Sequence, residues 1–379
     1  MPISQNLSDH YLHSRRALAH SLTPRTWRDA ATTLNRGQVA VWVPIRVGIA
    51  IAVVLVAGGL AGRGDIAGFA ALGALTSAFC RADPYRVRLP KLLVTSGTLV
   101  LFVVFGGLLG AAGVSMTVQV IGMAIAAAVA VLVLGACRIA GPGPVVMIFA
   151  AAAAVGYANS LHDIAEVTVV AVIGSIIGIA ASLAPWAFDA ARVIGHDGGA
   201  ARASVWADLR RVTDRDLVTS AVRVAVASAL AAGVAAAAGM AHPMWAAMGA
   251  IATLQGLNYH LTVHRGVQRF IGNIVGALIA AGLLALPLGY WGAVVLIVAL
   301  QVAAEILVAV NYGLCSMAVT PMALLLTALG AGLTPEVALD RVLDSAVGVI
   351  FGIVVGALTI ARHDTSHHPV VSAPVVAAR

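Results

Sequence analysis

Pro44-Ile45-Arg46-Val47-Gly48-Ile49-Ala50 and Ala221-Val222-Arg223-Val224-Ala225-Val226-Ala227 set one arginine in the same apolar frame. Downstream of each comes a second matching block. Phe69-Ala70-Ala71-Leu72-Gly73-Ala74-Leu75 follows the first, and Trp245-Ala246-Ala247-Met248-Gly249-Ala250-Ile251 follows the second. A glycine pair then closes each copy, Gly174 with Gly178 and Gly348 with Gly352. Arg46 and Arg223 lie 177 positions apart, Gly73 and Gly249 176, and Gly174 and Gly348 174. A repeat this long and this apolar is the mark of a transporter or channel built from two equivalent halves.

Composition agrees. Hydrophobic residues make up 60% of the chain and charged residues 10%, whereas a soluble domain carries roughly 25% charged residues. A helix crosses the hydrocarbon core with about 20 apolar residues, and many windows qualify. The expected fold class is all-α, a polytopic membrane protein of about twelve spans in two parallel six-helix repeats.

In the first half the spans fall at roughly 42–62, 66–80, 91–112, 117–137, 142–158 and 166–187. In the second they fall at roughly 218–240, 243–257, 267–287, 290–311, 313–331 and 342–361. Spans 66–80, 142–158 and 243–257 are short or interrupted by glycine and proline, so ten full spans with two re-entrant segments is the alternative. The domain plan is a polar segment 1–40 with a short amphipathic helix, a first repeat 41–190, and a linker helix 191–217. A second repeat 218–362 and a disordered tail 363–379 complete it.

Basic residues alternate between loops. Arg81, Arg86, Arg88 and Lys91 follow span two, and Arg210, Arg211 and Arg215 lie between the halves. The opposite loops hold little beyond Arg63 and Arg341. The positive-inside rule then puts both termini and the linker on the cytoplasmic side of the membrane. An even number of spans per half keeps the two copies in one orientation, related about the membrane normal. The first forty residues offer no cleavable signal peptide. Thr23-Pro24 reads as an N-cap and first-turn proline opening a helix through Trp27. Ser204–Arg211 reads as its counterpart.

Absences narrow the function. There is no GxxxxGK[ST] loop, no HExxH pair and no GxSxG elbow, so neither an internal ATPase nor a specified enzyme is expected. Cys80, Cys137 and Cys315 form no metal pattern. His363, His367 and His368 read as solvated rather than metal-ligating, and no cofactor is expected. The basic face suits anionic lipids and anionic solutes, and nucleic acid is a poor partner because no aromatic-interleaved basic cluster sits on a soluble domain.

Individual residues carry open alternatives. Glu305 is the one carboxylate deep in a span, with Gln301 one turn away on the same face. It is either a proton-coupling group or a packing carboxylate tied to an arginine. Arg46 and Arg223 either snorkel to headgroups or face a pathway. Arg269 and Asp344 are similarly divided, the structural alternative being that one pairs with carboxylates and the other with Arg341 or a helix end. Pro142 and Pro144 open span five and Pro321 interrupts span eleven, as broken helices at a translocation site or as ordinary kinks. Phe69, Trp245, Gln255 and Asn258 would line a path for a planar acid.

The half-length module resembles the fusaric acid resistance protein-like family, which includes aromatic acid exporters and is distantly similar to plant aluminium-activated malate transporters. The arginine of span one, the Trp/Phe-Ala-Ala-Leu/Met-Gly-Ala block, the run Arg265–Gly276 and the run Arg341–Gly352 carry the resemblance. In the first half Gly97 stands alone where Gly272 and Gly276 pair, and Val167-Thr168-Val169 replaces Asp340-Arg341. The resemblance implies an efflux permease or an anion-conducting pore for organic acids, with small aromatic acids the expected substrates. The expectation is proton-coupled export between the repeats, with an anion channel of the same fold or a non-transporting scaffold subunit as alternatives. The protein is open to forming a homo-oligomer.

Overall fold

The computed structural model describes residues 3–35, 42–189, 208–256, 258–332, 334–361 and 364. The tail from 365, with His367 and His368, lies outside the described residues, as do His363 and residues 204–207 of the expected linker helix.

Among the described residues there are fourteen α-helices and no strand. The first half holds α3 (Trp42–Leu60), α4 (Gly64–Ala74), α5 (Tyr85–Ala111), α6 (Met116–Ala136), α7 (Pro144–Tyr157) and α8 (Leu161–Asp189). The second holds α9 (Arg215–Ala237), α10 (Pro243–Thr253), α11 (Tyr259–Leu284), α12 (Gly289–Leu307), α13 (Tyr312–Ala331) and α14 (Val337–Leu358). Two more, α1 (Ile3–Ser21) and α2 (Pro24–Thr32), precede them.

Nine of these helices are long and apolar enough to cross a membrane. The other three of the twelve are α4 and α10, with 11 residues each, and α7 with 14. At 1.5 Å per residue these reach about 17–21 Å, short of the ~30 Å hydrocarbon core. They are the same three segments that glycine and proline mark in the sequence. A short 3₁₀ turn, Leu75–Ala78, extends α4.

Several helices begin earlier than hydropathy predicts. α5 starts at Tyr85 rather than 91, and α11 at Tyr259 rather than 267. α14 starts at Val337, so Arg341 stands inside it and is only 4% exposed, which corrects its placement in an outer loop. Hydropathy windows end at charge. A helix need not end there when protein, rather than lipid, faces the charge.

Packing follows one scheme in each half. α4 lies on α8 and α10 on α14; α5 on α7 and α11 on α13; α3 on α4 and α9 on α10. Between halves the partners are reciprocal: α3 meets α12 while α9 meets α6, and α4 meets α13 while α10 meets α7. Glycine makes the tightest of these contacts possible. A Cβ at Gly174 would fall on the Ala70 carbonyl oxygen, and one at Gly348 on the Ala246 carbonyl oxygen. In lipid, where apolar burial drives helix association weakly, such close backbone approach supplies much of the cohesion. Gly97 has no atom within 4 Å of its Cβ position and plays no such part. Large apolar side chains such as Leu101, Ile125, Ile176, Leu278 and Val295 stand exposed on the outside, as a lipid-facing surface requires.

α2 begins as the sequence predicts, with Pro24 in its first turn and the Thr23 side chain accepting from the Thr26 N–H. It is docked on the second half. Gln268 Nε2 donates to Ala30 O at 2.8 Å, Asn311 Nδ2 to Thr33 O at 2.8 Å, and Trp27 meets Phe270 edge-on. We call this the basic end of the bundle.

Candidate functional site

Two cavities lie between the halves. The larger, about 370 Å³, opens at the end opposite the basic one, and its walls include Phe69, Phe149, Tyr157, His242, Met244 and Trp245. The smaller, about 110 Å³, lies deeper and is lined by Arg269, Asn273, Gln301, Tyr312, Thr320 and Arg341 among apolar neighbours. Leu72 of α4, Phe149 of α7 and Leu326 of α13 belong to both walls. An apolar constriction therefore separates an aromatic vestibule from a polar chamber.

The polar wall is built by the second half alone. Counting back by the repeat, Arg269 corresponds to Val94 (269 − 175), Arg341 to Val167 (341 − 174) and Asp344 to Val170 (344 − 174). Geometry links the cations in a row. Arg265 donates from Nη2 to Gln255 Oε1 at 3.0 Å, and its guanidinium lies 4.1 Å over the Tyr312 ring. Arg269 donates from Nη1 to the Tyr312 hydroxyl at 3.2 Å, and its Nε has no partner. Asn273 donates to Ser345 Oγ at 2.6 Å and accepts from Thr320 Oγ1 at 2.7 Å. Beyond them Arg341 lies 4.9 Å over the Trp245 ring, again with Nε unpartnered.

His242 stacks on the far side of this group, 4.1 Å from Trp245 and 9° from parallel, with Nδ1 3.6 Å from Asp340. Burial holds the His242 imidazole below its ordinary range, opposed by Asp340 and aided by Arg341. Its ring packs face to face on Trp245 as an aromatic.

The structure disperses the sequence candidates. Phe69 and Trp245 both face the vestibule, Phe69 edge-on to Tyr157 with centroids 5.6 Å apart. Gln301 reaches the inner chamber, but Glu305 does not. Glu305 is buried, with Oε2 2.6 Å from Nη2 of Arg81 and Oε1 accepting from Gln301 Nε2 at 3.2 Å. Since Arg81 precedes α5 and Glu305 sits in α12, this pair ties the two halves together at the basic end.

Arg46 leaves Nε and Nη2 without hydrogen-bond partners, in the field of Arg88, Arg81 and Glu305. Arg223 feels Asp364. Neither arginine lines either of these two cavities. Gln255 packs against Gly143, whose positive φ of +82° and lack of a Cβ both suit the contact. Asn258 caps α11, its Oδ1 accepting from the Leu261 N–H at 2.9 Å. Pro142 precedes α7 and Pro144 is its first residue, so this helix starts at the proline instead of being broken by it. Pro321 lies within α13, which continues to Ala331, and its neighbours Thr320 and Met322 line the chamber.

Sequence reading left Arg269 and Asp344 undecided and set Arg341 aside. The signal that could have found them is a difference between the copies: charge in one where the other has valine. Among the described residues no group of three or more His, Cys, Asp or Glu could hold a metal ion.

Residues 230–355 match the family described as fusaric acid resistance protein-like. Over these residues the second half of this chain is similar to that family. The match runs from within α9 to near the end of α14 and so takes in the entire polar wall, from Gln255 to Asp344. No curated protein and no solved structure matched the chain.

Proposed function

We propose that the chain is an efflux permease that carries small organic anions, aromatic acids foremost, across the bacterial plasma membrane by way of the two cavities. One observation carries the reading: Arg269 and Arg341, both buried, line one small chamber, each with an unpartnered Nε. Two cations facing a shared space out of water are costly without a counter-charge, and an entering anion supplies it. The vestibule beyond Phe149 offers aromatic faces to a planar ring.

The reciprocal helix pairing supports two parallel halves about an axis along the membrane normal. The basic loops support a cytoplasmic basic end, with the vestibule opening outward. An interior-negative potential then drives an anion outward by about 2.3 kcal/mol per charge for each 100 mV, so efflux needs no nucleotide site. Coupling to protons belongs to the same reading, because an acid buried beside the cations can trade charge with the substrate. The contacts of Glu305 with Arg81 and Gln301 favour a structural role for that residue.

Efflux of labelled benzoate from proteoliposomes tests the reading. Arg269→Gln and Arg341→Gln should each abolish protein-dependent efflux while the protein remains folded. Undiminished efflux through both variants would reject it. The channel alternative draws on the row Arg265, Arg269 and Arg341, and single-channel currents would favour it over a carrier.

A further inference from the structure

Asp344 is fully buried in α14, and neither of its carboxylate oxygens has a hydrogen-bond partner. A carboxylate left in that condition is unstable as an anion. It must take a proton or draw in a cation.

The charged groups around it are few. On its own helix Arg341 lies one turn back, with Asp340 beside that arginine. α11 contributes Arg269, which shares the chamber with Arg341. α10 carries no ionisable side chain between Pro243 and Thr253, and His242 at its cap lies against Asp340. From α9, Arg223 feels Asp364 near the far end of α14, and from α1, His10 meets the Leu358 carbonyl there. Arg341 is the cation best placed to answer Asp344, and it is also a cation of the proposed anion site.

We infer that Asp344 and the transported anion compete for Arg341, so that protonation of Asp344 licenses anion binding in the inner chamber. This rests on the anion-permease reading above and adds a residue and a sign to it. With Asp344 neutral, Arg341 and Arg269 together face the chamber. With Asp344 ionised, its carboxylate serves as an internal anion, Arg341 turns to it, and a substrate must displace it. Proton and anion therefore bind together, and each raises the affinity for the other by the same factor. That is the opposite sign from an exchanger, in which the proton expels the anion. The first half has valines at the corresponding positions, so each chain carries the device once.

Benzoate binding to the purified full-length protein, measured by calorimetry at about pH 5.5 and about pH 8.5, tests the proposal. Benzoate stays ionised at both values, since carboxylic acids titrate near pH 4. The wild type should bind roughly tenfold more tightly at the lower pH. Asp344→Asn, neutral at every pH, should bind with the tighter affinity at both. Arg341→Gln should bind weakly at both. Should the asparagine variant not fold, the wild type and Arg341→Gln still decide the matter.

Wild-type affinity that ignores pH overturns the inference. So does a pH dependence that survives in Asp344→Asn or in Arg341→Gln. In those cases benzoate still binds and the permease reading stands. Absence of benzoate binding by every form would instead overturn the permease reading itself.

Discussion

Replacing Glu305 by glutamine separates structure from transport at the residue where the sequence left both open. The carboxylate meets Arg81 at 2.6 Å and is 6% exposed, while the arginine is 31% exposed. Removing one charge of a buried pair costs about 3–5 kcal/mol when the survivor stays buried. Here Arg81 can turn to water, and the amide oxygen still offers it an acceptor. The expected cost is therefore about 1–2 kcal/mol, because only the charge-assisted part of the contact is lost. In thermal unfolding of the detergent-solubilised protein this is a fall of roughly 2–6 °C. Arg81→Gln should cost about the same. The double variant should fall short of the sum by ~1 kcal/mol or more, since the two residues act through one contact. Benzoate efflux should persist in all three. If Glu305→Gln melts with the wild type, or the two changes add, Glu305 is not held by Arg81. Loss of efflux at full stability would return Glu305 to the proton pathway.

Gly348→Leu should destabilise the protein by about 1–3 kcal/mol or prevent its accumulation, because its side chain must occupy the Ala246 carbonyl and the Gly249 Cα. Gly97→Ala, with open space at the Cβ, should lie within about 0.5 kcal/mol of wild type, and a thermal melt compares the two. His20 should make docking of the N-terminal helices sensitive to acid. Burial and then the neighbouring His260, whose Nδ1 is 3.2 Å from His20 Nε2, hold His20 below its ordinary range. The folded state thus favours the neutral ring, and its contribution is present above about pH 6.5 and lost as pH falls below it. Hydrogen exchange of residues 10–32 should speed up at about pH 5 relative to pH 7.5, and His20→Gln should remove the difference. A single cysteine in place of Arg25 should react with an impermeant label only from the cytoplasmic side, and one in place of Leu161 only from outside.

The membrane architecture was legible because it depends on properties averaged over many residues. Apolar content located twelve segments, and the glycines at 73, 174, 249 and 348 marked helix contacts that the structure contains. Even the short helices announced themselves through Gly141-Pro142-Gly143-Pro144 and Pro243. The site was less legible, for two physical reasons. Hydropathy treats charge as a boundary, so Arg341 was assigned to a loop although it is buried in a helix facing protein. The repeat also invited a search for matched residues, and the polar wall has none. Arg46 and Arg223 are features of the shared scaffold, whereas Arg269, Arg341 and Asp344 exist in one copy. Glu305 drew attention as an acid in a span, and only tertiary structure reveals that Arg81, more than two hundred positions away, answers it.

The central claim is that organic anions cross between the halves through the vestibule and the inner chamber. Photo-crosslinking with an azidobenzoate in native membranes, followed by peptide mapping, tests it most directly. The account predicts labels on vestibule and chamber residues such as Tyr157, Trp245, Tyr312 or Thr320, suppressed by excess benzoate and lost in Arg341→Gln. Labels confined to the lipid-facing surface around Ile176 or Val295, or labels indifferent to benzoate, would contradict it.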